Sequence, residues 1–225
     1  MSAGTLYHCV GARSFRVVWM AEAAAIPLEI VVLPFPPRVK QKDFLAVNPL
    51  GTVPAFVAGS AVMTESMAIC QYLAALYPAA ALDLTPGDPD FASCLNWTHH
   101  GEATLSFPQA IILRYSRFEP VERRLPQAVE DYSRWLFARL RGLEAAVADG
   151  RRYLCAGRLT LADISVGYAL QLADYLGLKD RFSAGVSAYY EGICEEPSYR
   201  RALEREKQAA LAQGVDPTPA PLLVG

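Results

Sequence analysis

The stretch at residues 48–66, NPLGTVPAFVAGSAVMTES, leaves few folds open to the chain that carries it. Its turn-prone Asn48-Pro49-Leu50-Gly51 leads into Val53-Pro54, and two short apolar runs, 54–57 and 61–63, flank Gly59-Ser60. That pattern predicts a tight hairpin. A cis Val53-Pro54 bond ahead of it would turn the Val53 N–H and C=O outward, to pair with the backbone of an extended, peptide-like ligand. Directly after the hairpin, Thr64-Glu65-Ser66 precede Ile69, Cys70, Leu73, Leu76 and Tyr77 at helical spacing. Ser66 is therefore expected as an N-cap, with an anion site at the helix start behind it. Without a ligand the same residues would form only a hairpin, a turn and a capped helix.

At 225 residues the chain is long enough for one large domain or two small ones, and 52% apolar residues can supply real cores. A formal charge of -2 and the lack of long basic runs argue against a nucleic-acid partner. The pairs Arg123-Arg124 and Arg151-Arg152 read as solvated helix faces. No apolar run approaches the roughly 20 residues of a membrane span. The N-terminal MSAGTLYHCV has neither the charged region nor the apolar core of a signal peptide. A cytoplasmic protein without a membrane partner is expected. Five cysteines (Cys9, Cys70, Cys94, Cys155 and Cys194) lie far apart with no C-x-x-C, so reduced thiols are expected rather than disulfides or a zinc site.

Taken in order, residues 5–8 form a β-prone run, 9–13 a glycine-containing loop, and Ser14 opens a helix with Phe15, Val18, Ala21 and Ala25 on one face. Pro27 ends it, and the apolar run 28–33 suits a strand buried on both faces, completing a right-handed βαβ unit. A basic connection, Arg38 to Lys42, leads to a short helix near 43–47 and then to the hairpin and helix above. The order β-α-β, β-β-α is a thioredoxin-like layout. The run PAAALDLTPGDP, with three prolines and a glycine, is the best linker. The expected domains are thus 1–79, an α/β thioredoxin-like domain; 80–88, a linker; 89–213, an all-α helical bundle; and 214–225, a proline-rich tail. Within the bundle Asp88-Pro89 is expected to start a helix, and helical patterns run over about 90–114, 121–149, 160–176 and 186–211. Thr160-Leu161-Ala162-Asp163 is a capping-box variant, with Leu159 placed to staple onto the first turn and Ile164, Tyr168, Leu172 and Tyr175 facing inward.

With NPLGTVPAF and TES in the first part and YLCAGRLTLADISV in the second, the chain resembles the cytosolic, bacterial-type glutathione S-transferase superfamily over nearly its whole length. A weaker match, Trp97 to Glu102, is similar to a W-x-H-x-x-E segment of bacterial members. The resemblance implies that the socket holds glutathione. Val53, next to Pro54, would pair with the cysteinyl backbone, Ser66 would hold the γ-glutamyl carboxylate, Glu65 would meet the ammonium, and Lys40 or Lys42 the glycyl carboxylate. It further implies a homodimer, a detoxifying transferase activity and a small apolar electrophile as second substrate.

Such chemistry needs the glutathione sulfur as thiolate, whereas a free thiol has a pKa of about 8.5. Serine-type relatives carry a serine four or five residues before the helix arginine, where this chain has Gly11 and Ala12. Ser14 is the first candidate donor; Cys9, Tyr7, a cation from Arg13, or the backbone amides at 12–14 are the alternatives. His99 and His100 are adjacent on their helix and cannot share one face, and no third ligand is spaced to join them, so no metal is expected. One of them, with Trp97, Phe107, Leu113 and Tyr115, is a candidate for the electrophile side. A lyase, ether-cleaving enzyme or peroxidase on the same fold, or a non-catalytic binding protein, are the competing functions.

Overall fold

The computed structural model describes residues 2–223 and turns the N-terminal β-prone run into strand β1 (Thr5–His8), whose alternation sends Leu6 and His8 inward. Helix α1 (Phe15–Ala23) and strand β2 (Glu29–Val32) follow, then a single turn, α2 (Pro37–Lys40), and a 3₁₀ turn at Lys42–Ala46. Strands β3 (Ala55–Ala58) and β4 (Ala61–Met63) form the expected hairpin around Gly59-Ser60, with Ala58 opposite Ala61. Helix α3 (Ser66–Leu76) closes the motif. The sheet order is β2-β1-β3-β4, with β1 and β2 parallel and the other pairs antiparallel, which is the thioredoxin-like arrangement. Strand β2 is an edge strand, with Glu29 exposed and Ile30 and Val31 half-buried, and so is less enclosed than the run suggests. Its apolar residues pack on two sides: Val31 with the cluster of Cys9, Leu33, Phe44 and Ala55, and Ile30 and Val32 with Val10 and Ala210.

The chain divides into two compact units. Of the described residues, one holds 2–83 together with Glu196–Ala220; the other holds Leu84–Glu195 and 221–223. The covering helix of the first unit is α9 (Pro197–Ala212). Its Tyr199 ring meets Phe15 and Trp19 edge-on at 5.6 and 5.0 Å, and Trp19 Nε1 donates to Ser198 Oγ at 3.0 Å. Past its end the Gln213 amide group imitates a neighbouring strand. It accepts from Val32 N–H and donates to Ile30 C=O, both at 2.9 Å, which pairs the open edge of β2. The tail stays on this unit as far as Ala220, whose N–H donates to Val10 C=O at 2.7 Å.

In the second unit helix α4 (Phe91–His99) begins at Asp90 rather than Asp88. The Asp88 carboxylate is occupied by the Thr85 amide and hydroxyl at 2.7 and 2.8 Å, so it caps that turn instead. The helix continues through a π-helical segment (His100–Ser106), α5 (Phe107–Leu113) and a second π segment (Arg114–Phe118), which carries it past the expected end at 114. Helix α6 (Pro126–Ala146) starts at its proline, with only a 3₁₀ turn over Val121–Arg123. Helix α7 (Leu161–Tyr175) is buried on all sides and carries the expected capping box. The single pattern read over 186–211 is two helices, α8 (Ala184–Glu195) and α9, because Glu196 before Pro197 is forced out of the helical region.

Candidate functional site

The socket at residues 48–66 is built by local chemistry. Asn48 is buried and folds its side chain over the turn: Nδ2 donates to Thr52 C=O at 2.8 Å and Oδ1 accepts from Leu50 N–H at 3.1 Å. Gly51, at φ 60°, lies so close to α2 that a Cβ there would stand 2.5 Å from Arg38 Cβ. The turn delivers a cis Val53-Pro54 peptide, and a second cis bond, Phe35-Pro36, precedes α2. Val53 is half-buried and its N–H and C=O have no partner among the described residues. Glu65, exposed and extended, is the N-cap of α3, so Ser66 is the first helical residue and not the cap. That shift turns the Ser66 amide into one of the helix's open donors. The Ser66 hydroxyl is buried and accepts from the guanidinium of fully buried Arg16 at 3.3 Å.

The loop before α1 differs from its reading in the sequence. Ser14 is fully enclosed and turned inward, its Oγ 2.8 Å from His8 Nδ1 and 3.4 Å from the Cys9 amide. This hydroxyl therefore neither caps α1 nor faces outward to a sulfur. The Ser14 N–H, by contrast, has no acceptor among the described residues. Cys9 lies in an apolar cluster with Leu33, Phe44 and Ala55, and burial pushes its thiol pKa up to about 12, the opposite of what a reactive thiolate needs. Tyr7 packs on the same cluster, 5.4 Å from the Phe44 ring. Arg13 is half-buried beside them in the chain. Lys40 and Lys42 are both exposed, and Lys40 helps the Thr218 hydrogen bonds hold the Asp216 carboxyl below its ordinary range.

In the helical unit His100 is half-buried against the Trp97 ring at 5.0 Å, and burial holds its imidazole below the usual value; His99 is exposed. Phe107 meets Tyr132 and Trp135 edge-on at 6.4 Å, while Leu113 and Tyr115 are half-buried. No group of three or more His, Cys, Asp or Glu side chains able to hold a metal ion occurs among the described residues, and all five cysteines are free thiols.

Three buried polar residues at the site escaped the sequence reading: His8, Arg16 and Glu206. The signal for two of them was present. His8 shares the inward face of β1 with Leu6, and Glu206 interrupts the buried stripe Tyr199, Ala202, Ala210 of α9. Arg16 sits in a helix buried over residues 15–21, where no single face stands out.

Fold and site together define a thioredoxin-like protein with a backbone socket beside a helix N-terminus, followed by a helical unit. Residues 2–75 match the family model of the glutathione S-transferase N-terminal domain. Glutathione S-transferase 3 of Zea mays is 31% identical over 174 residues, 73% of this chain and 76% of that protein. A solved glutathione transferase of Methylococcus capsulatus aligns with a TM-score of 0.79 at 24% identity, over 90% of this chain and 98% of the other. A sphingomonad glutathione S-transferase complexed with glutathione gives 0.76 and 24%, over 89% and 98%. The chain belongs to the glutathione S-transferase family.

Proposed function

We propose that this glutathione S-transferase binds glutathione along Val53, Glu65 and Ser66 and presents its thiol to the 9–14 loop as a thiolate for attack on a small apolar electrophile. The observation that carries the reading is the unpartnered N–H and C=O pair of Val53, set a short hairpin before the open amides of α3. A cysteinyl backbone supplies the complementary C=O and N–H, and a γ-glutamyl carboxylate suits the positive end of the helix. Glu65 meets the ammonium, and the exposed Lys40 or Lys42 meets the glycyl carboxylate. With Ser14 and Cys9 turned away, the thiolate is stabilised by the Ser14 amide and the dipole of α1, aided by Arg13. Each unit by which they lower the thiol pKa requires about 1.4 kcal/mol of preference for the anion. The electrophile side falls to the helical unit, and the protein acts as a cytoplasmic homodimer in detoxification.

Calorimetry tests the socket. Glu65→Ala and Ser66→Ala should each weaken glutathione binding by about tenfold or more, the cost of one charge-assisted hydrogen bond. Affinity unchanged in both variants overturns the assignment. The lack of an outward hydroxyl or thiol at the loop favours one second reading, a protein that binds glutathione without turnover. Turnover of chloronitrobenzene or of a hydroperoxide excludes it, and tight binding with no turnover across an electrophile panel supports it.

A further inference from the structure

The loop that this reading sets against the thiol is held from beneath by a side chain 195 residues further along the chain. Helix α9 buries Tyr199, Ala202 and Ala210 on one face, and in the middle of that face stands Glu206, 2% exposed. An apolar residue would fill the same stripe without penalty, whereas a buried carboxylate costs several kcal/mol unless donors meet it. The donors here come from the loop. Glu206 Oε2 accepts the Gly11 N–H at 3.0 Å, and the same oxygen lies 3.0 Å from His8 Nε2, a close contact of the two groups without a hydrogen bond between them. The other ring nitrogen, Nδ1, is 2.8 Å from Ser14 Oγ, which also receives the Cys9 N–H at 3.4 Å.

Ser14 Oγ accepts from the Cys9 amide and pairs with Nδ1, while Nε2 on the opposite side of the ring stands against the carboxylate. One carboxylate oxygen and one imidazole thereby gather the beginning, middle and end of the loop. His8 and Ser14 are fully buried, so none of this network is arranged for contact with a ligand. What it controls is the path of the backbone.

We infer that Glu206 is a positioning residue of the thiol site: by holding the Gly11 amide and, through His8, the Ser14 side chain, it sets the direction of the Ser14 amide at the start of α1. The inference rests on the function proposed above, in which that amide faces the glutathione sulfur. It separates geometry from charge. Because both contacts go to a single oxygen, a glutamine can reproduce them with its carbonyl, while an alanine reproduces neither.

The test is the pKa of the bound glutathione thiol, followed by thiolate absorbance in the ultraviolet, together with kcat and glutathione affinity in wild type, Glu206→Ala, Glu206→Gln and Glu206→Asp. Glu206→Ala is expected to raise the bound thiol's pKa by about one unit and to lower kcat near neutral pH about tenfold. Glutathione affinity, set by Val53, Glu65 and Ser66, should change less than about threefold. Glu206→Gln should restore the thiol to within about threefold of wild type. Should the alanine variant not fold, Glu206→Asp, one methylene shorter, reads the same shift in smaller amount.

A merely structural role would lower melting temperature and active fraction while leaving the thiol pKa of the folded molecules unchanged. That result, or a glutamine variant as impaired as the alanine, overturns the positioning role. If wild type itself binds glutathione without ionising it, the function reading fails and the positioning role falls with it. A wild type that ionises the thiol beside an alanine variant that ionises it equally overturns Glu206 alone.

Discussion

Gly51 and Gly59 show how much a single residue of the socket is constrained. Both sit at φ 60°, a left-handed conformation that costs a residue with a side chain on the order of 1 kcal/mol. A Cβ on Gly59 would meet nothing within 4 Å, whereas one on Gly51 would meet Arg38 Cβ at 2.5 Å and Leu45 Cδ2 at 3.0 Å. Arg38 Cβ is fixed to the backbone of α2, so that turn must move to relieve the contact. Gly59→Ala should therefore lower stability by about 1 kcal/mol and leave glutathione affinity alone. Gly51→Ala should cost roughly 2–4 kcal/mol and weaken binding as well, because the displaced turn carries Lys40 and the strained loop carries Val53. Urea unfolding and calorimetry on the pair check this. Equal losses in the two variants would show that the approach to α2 is not tight.

Among the elements, the start of α7 makes the largest demand on one side chain. Asp163 is fully buried and accepts four hydrogen bonds, from Leu154 N–H at 2.8 Å, Thr160 N–H at 2.9 Å, Thr160 Oγ1 at 3.0 Å and the Tyr189 hydroxyl at 2.9 Å. Burial nevertheless outweighs them and pushes its carboxyl up to about 6. The folded state then holds the proton more tightly than the unfolded chain, where an aspartate titrates near about 3.9. Its contribution to stability is complete below that unfolded value and is lost as pH rises through about 6, a change on the order of 2–3 kcal/mol. Asp163→Asn lacks this titration and also turns an NH₂ towards one of the two amide donors, so it starts less stable by about 1–3 kcal/mol. The wild-type advantage over Asp163→Asn should narrow as pH rises through 4 to 7, measured by urea unfolding. Parallel profiles would mean that the hydrogen bonds, rather than burial, set the carboxyl's affinity for its proton.

This element was legible in the sequence, as was the hairpin, because both are written within a few positions: Thr160 and Asp163 are three apart, and Gly59-Ser60 separates two runs of apolar residues. Ser14 was not, although its partner His8 is only six positions away. A serine before a helix has a ready local explanation as a cap, and nothing nearby says that a histidine offers a better one. Helix α9 marks the limit more sharply. Its periodicity announces a buried face, but periodicity carries no address, and the face belongs with Phe15, Trp19 and the edge of β2 near the other end of the sequence. Proline at position 197 could have been read as the break between α8 and α9.

At the scale of the molecule, the first unit is a discontinuous one, made of the residues up to Asp83 and Glu196–Ala220. Residues 1–83 alone would lack the partners of Trp19 Nε1, of Val32 N–H and of Gly11 N–H, and would expose the apolar side chains that α9 covers. A piece of that size is marginal even with its core intact, since small domains bury a modest share of their surface. Residues 1–83 are accordingly expected to show no cooperative melting and no measurable binding of glutathione. Joining them to 196–220 by a flexible Gly/Ser linker of about 20 residues, with a root-mean-square span of roughly 25 Å, should restore both. The affinity of this fusion should lie within about tenfold of the full chain, because every residue proposed to touch glutathione is then present. Differential scanning calorimetry of the two products decides between the alternatives. A cooperative, glutathione-binding 1–83 fragment would make α9 an accessory cover, whereas a fusion that melts cooperatively beside a fragment that does not makes it an integral part of the domain that binds the thiol.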